Sequence, residues 1–134
     1  MISVVLMIGL RYTGQQKQIS GETRLKLNIH DIQCSIVKDN DVYRLKDNTA
    51  LKNLVLSSTT LWPGQSTRGH RHDGQEEVYY FVAGAGQMEL NDQLINVAAG
   101  DIVLIEDNVF HKVYNLSDHE PLYFVCVFDG RRSH

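Results

Sequence analysis

The chain has 134 residues, 43% apolar and 22% charged, enough to bury a core without disulfide staples and too short for two domains of ordinary size. A single domain over 1–134 is therefore expected. Thirteen Lys and Arg against sixteen Asp and Glu leave a formal charge of -3 with no basic block or stripe, which argues against nucleic acid as a partner.

Met1 to Leu10 is apolar, but it lacks a positive leading region and a small-residue cleavage site, and it is too short to span a bilayer. No membrane partner is expected. Val4 to Leu10 reads instead as a first β-strand. Left unpaired it would be an awkward exposed edge, so residues 1–33 are expected to supply N-terminal strands in the contact of a homodimer. Thr23 to Ile32 alternates weakly, with Leu25, Leu27 and Ile29 on one face, as an early edge strand would.

Short runs rich in Val, Ile, Leu, Tyr and Phe then follow one another, punctuated by Gly, Asn and Asp. Strands are expected at Cys34 to Val37, Asp41 to Leu45, Leu54 to Leu61, Arg68 to His72 and Glu77 to Ala83. They continue at Gly86 to Leu90, Gln93 to Val97, Ile102 to Ile105, Val109 to Asn115 and Leu122 to Phe128. The intervening Asp39-Asn40, Pro63-Gly64, Asp73-Gly74, Asn91-Asp92, Ala99-Gly100-Asp101 and Asp107-Asn108 supply residues that accept tight turns. No long amphipathic helix or internal repeat is present. The class is all-β, an antiparallel sandwich or barrel. Cys34 and Cys126 lie far apart and form no CxxC pair, which reads as two reduced thiols in a cytoplasmic protein.

Two segments carry chemistry. In the first, residues two apart on a strand share a face, so His70 and His72 project together, and Asp73-Gly74 turns the chain so that Glu77 returns beside them. The second brings His111 on the strand after the Asp107-Asn108 turn. Three imidazoles and one carboxylate suit one divalent ion, Fe, Mn, Ni, Co or Zn, and a six-coordinate ion would keep about two positions open for a small-molecule substrate. Taken singly, each residue has a plainer reading as an ordinary surface or core group.

The same strand parity assigns the surroundings. Arg68 should face as His70 does, at the mouth of the barrel, or else be a solvated strand-end charge. Tyr79 and Phe81 share a face with Glu77, and Val109 and Val113 share one with His111. Met88 and Leu90 complete an apolar wall of the kind that lines small-ligand sites. Tyr79 is a proton donor or simply core, while Arg71 and Lys112 point outward.

The first segment resembles the first cupin motif position for position: Gly64, five residues, His70-x-His72, four residues, Glu77, six residues, Gly84. The second cupin motif is matched in spacing by Gly100, Glu106, Asn108, His111 and Asn115, with Glu106 in place of its proline and Asn108 in place of its glycine. Both departures fall in a turn, where Asn is the best substitute for a left-handed Gly. The resemblance spans 64–115. It implies a double-stranded β-helix barrel of jelly-roll type and places the metal roles on His70, His72, Glu77 and His111.

Cupins host many reactions, so the fold does not name the substrate. Thr67 to His72, Glu77-Val-Tyr, Gly84 to Met88 and His111 to Asn115 look like archaeal cupin-type phosphoglucose isomerases. That resemblance implies a metal-dependent isomerase or epimerase of a sugar or sugar phosphate. Glu77 or Glu76 would move the proton, Tyr79 would assist, and Arg68, with Arg24 or Lys26, would hold an anionic group. An iron-dependent dioxygenase and a non-enzymatic small-ligand or metal binder are the alternatives.

Overall fold

The computed structural model describes residues 26–32, 35–130 and 132. Strand alternation organises all of it. Among the described residues there is no helix, and hence none long and apolar enough to cross a membrane. The strands are β1 (Ser35–Asp39), β2 (Tyr43–Asn48), β3 (Leu54–Leu61), β4 (Glu77–Ala83), β5 (Ala85–Leu90), β6 (Gln93–Ala98), β7 (Ile102–Ile105), β8 (His111–Tyr114) and β9 (Leu122–Asp129).

Every pairing is antiparallel. A six-stranded sheet runs β1-β2-β3-β9-β4-β7 and faces a three-stranded sheet β6-β5-β8. The all-β expectation holds, and the core lies between the two sheets. Period-2 alternation sends Tyr79 and Phe81 of β4, Leu122, Phe124, Cys126 and Phe128 of β9, and Val55 and Leu61 of β3 inward. From the other sheet Met88, Val97 and Val113 meet them. Phe81, Phe124, Leu61 and Met88 are sealed from solvent, each contributing about 1.5–3 kcal/mol of burial.

Local side-chain chemistry moves some boundaries from those the sequence suggests. The strand expected from Asp41 starts at Tyr43 because Asn40 Oδ1 accepts the backbone N–H groups of Val42 and Tyr43 at 2.9 and 3.0 Å. The edge strand expected over Thr23 to Ile32 is not formed in its described part. There Asn28 Oδ1 accepts from the His30 N–H at 2.9 Å, its carbonyl accepts from Asp31 at 3.0 Å, and the chain turns. Val4 to Leu10, Arg24 and Cys34 lie outside the described residues.

Candidate metal centre

The site grows from two segments running antiparallel. Ser66 pairs with Tyr114 and His70 with His111. Between those pairs the first segment advances four residues and its partner three, so one residue is extra. Gly69, at φ 79, is where it is absorbed. This is a β-bulge, in which a left-handed Gly lets two residues oppose one. It corrects the strand expected at Arg68 to His72, which is not a regular strand, and the parity drawn across it. The bulge reverses the alternation, so Arg68 is exposed while His70 and His72 turn toward His111.

Backbone bonds clamp this geometry. His70 and His111 exchange N–H···O bonds at 3.1 and 2.9 Å, Thr67 N donates to Val113 O at 2.9 Å, and Asn115 N donates to Gln65 O at 2.9 Å. Asn108 takes the left-handed conformation at φ 62, and its N–H reaches the carbonyl of His72 at 2.8 Å. The turn therefore keeps its shape without the glycine of the usual motif. Asp107 Oδ1 accepts from the Gly74 N–H at 2.6 Å and the Gln75 N–H at 3.3 Å, tying the loop before Glu77 to the loop before His111. The sequence reading missed Asp107, whose only signal is an acidic residue in a turn.

The four residues converge. One ligand atom from each of His70, His72, Glu77 and His111 lies within 4.8 Å of all the others, and all but His70 are buried. Glu77 Oε1 stands 2.7 Å from His72 Nε2, and Oε2 stands 3.6 Å from His111 Nε2. His111 Nδ1 bonds the carbonyl of Val109 at 2.9 Å, so Nδ1 carries the proton and Nε2 is left with a lone pair. That Nε2 is buried without a hydrogen-bond partner, which is costly unless something else occupies its lone pair. A divalent ion could do so, and the donor set fits one.

Electrostatics agree. Burial is the main cause lowering the pKa of His72, helped by the His111 and Arg132 charges and opposed by Glu77, which favours the neutral, ligating imidazole. For Glu77, burial pushes upward, but the neighbouring His111, His72 and His70 outweigh it, so the carboxyl is held below its ordinary value. Burial first, then the neighbouring Cys126 and Glu77, push the Tyr79 phenol well above its usual range, so it stays protonated. Its ring lies 5.7 Å from that of His111 and stacks on Phe124 at 5.4 Å.

The expected wall is largely in place, with Phe81, Met88 and Val113 buried and Leu90 and Val109 packed against them. Glu76 and Arg71 are exposed, and Lys112 lies half-buried over the ring of Tyr114, 4.9 Å from its centroid. A second polar group went unseen in the sequence. Arg132 donates from Nε and Nη2 to the two carboxylate oxygens of Asp47, each at 2.8 Å, and from Nη2 to Ser57 Oγ at 3.0 Å. These residues are far apart in sequence and belong to no motif, so only folding reveals them.

Comparison with known proteins follows the same line. The family described as "Cupin domain" (Cupin_2) matches residues 57–128. The uncharacterized protein MJ1618 of Methanocaldococcus jannaschii is 35% identical over 103 residues, 69% of this chain and 82% of that one. The oxalate-binding protein of Thermotoga maritima is 31% identical over 76 residues, 57% of this chain and 62% of that one. Among solved structures, KdgF from Halomonas sp. superposes with a TM-score of 0.65 at 18% identity, over 79% of this chain and 94% of that one, a likeness of fold.

Proposed function

This chain belongs to the cupin domain family, and from that premise we propose that it is a metal-dependent isomerase or epimerase acting on a sugar or sugar phosphate. One divalent ion, Fe, Mn, Ni, Co or Zn, is held by His70, His72, Glu77 and His111. The observation that carries this reading is the buried His111 Nε2, its tautomer set by Val109 and its lone pair without a hydrogen-bond partner, inside a converging set of four donors. Bound there, the ion would supply Lewis-acid polarisation of substrate oxygen.

The protein's own groups divide the remaining work. Glu77, held ionised, serves as a ligand more readily than as a base. Tyr79, buried and protonated, with its ring 5.7 Å from that of His111, is the proton donor. Phe81, Met88, Val113 and Phe124 keep water from the inner side of the site. Arg68, exposed beside the bulge, meets an anionic group from the solvent side. A second reading, a cupin that binds a small acid without turning it over, is favoured by the 31% identity to the oxalate-binding protein of Thermotoga maritima.

A cytoplasmic homodimer belongs to the same proposal. What supports the dimer is the apolar outer face of β4 and β7, where Val78, Tyr80, Ile102 and Leu104 are exposed beside the open β7 edge. Light scattering tests it, and a monomer mass at micromolar concentration would count against it.

The metal reading is tested by elemental mass spectrometry of protein purified without a metal-affinity column, alongside His72→Ala. Near-stoichiometric metal in the native chain and its loss in the variant are expected. Manganese, nickel, cobalt or zinc then leads to aldose–ketose and epimerase assays, and iron to oxygen-uptake assays, where consumption would replace the isomerase by a dioxygenase. No metal after purification and none taken up on adding Mn, Fe, Co, Ni or Zn would overturn the proposal.

A further inference from the structure

Arg132 is placed and chemically equipped to do more than close an ion pair. The inner face of the six-stranded sheet carries a row with polar groups on neighbouring strands. Asp47 pairs in register with Ser57, Ser57 with Cys126, and Cys126 with Tyr79. The next row toward the metal centre is Val55, Phe128 and Glu77. Arg132, three residues beyond the end of β9, reaches back so that its guanidinium rests on Asp47 and Ser57 and lies 5.1 Å from the centroid of the Phe128 ring. Phe128 is the register partner of Glu77, and β3, which carries Ser57, stands two strand spacings from β4, about 10 Å. The guanidinium thus shares the inner wall with the metal ligands, at the reach of a small ligand.

Its donors are only partly used. A guanidinium has five N–H groups in a rigid fork. Three are spent on Asp47 and Ser57, and the two on Nη1 meet no acceptor among the described residues. The bidentate grip of Asp47 fixes the fork, so binding a ligand there orders little further side-chain freedom. An ion pair of this kind, on a row shared with buried Ser57 and Cys126, is a poor choice for stability alone, since well-packed apolar residues do as well or better.

From the fork, its spare donors and its place against Phe128, the register partner of Glu77, we infer that Arg132 is a specificity-determining residue that receives an anionic group, carboxylate or phosphate, at the end of the ligand away from the metal. This rests on the metal reading above and narrows the substrate to molecules with a chelating end and an anionic end. Asp47 and Ser57 are positioning residues that hold the fork.

The test is calorimetric titration of the Mn(II)-loaded chain with three 2-hydroxy acids sharing one chelating end: lactate, 2-hydroxyglutarate and 3-phosphoglycerate. The wild-type chain is expected to bind at least one of the two acids that carry a second anionic group ten-fold or more tighter than lactate, and which one wins separates carboxylate from phosphate. Arg132→Gln should reduce that ratio to two-fold or less with Mn(II) affinity unchanged. Arg132→Lys, which keeps a charge on Asp47 but loses the fork, should give an intermediate ratio even if the Gln variant folds poorly. A wild-type chain that binds Mn(II) and all three acids equally overturns the assignment of Arg132 alone, as does a preference that survives both substitutions. A chain that takes up no Mn(II) overturns instead the metal reading beneath it.

Discussion

Gly69 is the residue on which the aim of the two site histidines turns, and replacing it with Ala tests that geometry directly. A Cβ there would stand 2.7 Å from Phe110 Cζ and 3.1 Å from Lys112 Cβ, at φ 79. A left-handed backbone costs an ordinary residue about 1–2 kcal/mol. Relieving the contact with Phe110 adds about 1 kcal/mol, the low end of overpacking costs, because that half-buried ring can shift. Gly64 is an internal control, with φ 73 and nothing within 4 Å of an added Cβ, so Gly64→Ala should lose only the backbone part. Urea unfolding of the metal-free proteins should therefore rank wild type above Gly64→Ala and Gly64→Ala above Gly69→Ala, the last about 2–3 kcal/mol down. The chain can escape the strain at position 69 by straightening the bulge, which would turn His70 and His72 away from His111. Metal titration should then show at least a ten-fold loss of affinity for Gly69→Ala and none for Gly64→Ala. Equal midpoints and equal metal affinities in the two variants would refute the role assigned to the bulge.

Two further outcomes follow from buried groups. Asn115 is buried, and its Nδ2 donates to Leu61 O at 3.0 Å and Glu120 O at 2.8 Å, so Asn115→Ala leaves two carbonyls without that donor. It should lower stability by about 2–4 kcal/mol, read as a fall in the urea midpoint, and a loss below about 0.5 kcal/mol would contradict it. Cys126 is buried and its thiol is pushed up to about 12, chiefly by burial. Because the unfolded thiol ionises near its ordinary value while the folded one keeps its proton, stability should fall as pH rises from about 9 toward 12. The metal-free wild type should lose more stability between pH 9 and 10 than Cys126→Ala, and parallel pH curves would show that the thiol is not shielded as described.

Much of the barrel was legible because β-strands write their inner face into the chain with period two. Glu77, Tyr79 and Phe81 of β4 stand where alternation puts them, and β3 has the expected bounds, Leu54–Leu61. The ligand set was legible for a related reason. His70, His72 and Glu77 lie within one stretch of eight residues, so their spacing can be read along the chain. Alternation failed where one residue was inserted. Period two carries no memory of a bulge, so alternation could not choose between the two places open to Arg68, beside His70 or solvated, of which it takes the exposed one, and the histidines owe their aim to Gly69 at φ 79.

The sequence by itself determined the all-β class and the spacing of the two segments, and with the family resemblance it pointed to His70, His72, Glu77 and His111, because alternation and motif spacing are written along the chain. Only the tertiary structure decided how close those donors come, which nitrogen of His111 keeps its lone pair, and that Asp47, Ser57 and Arg132 meet on the inner wall. Those facts depend on β2, β3, β9 and the residue beyond it lying side by side, and long-range strand pairing leaves no periodic mark in the local sequence.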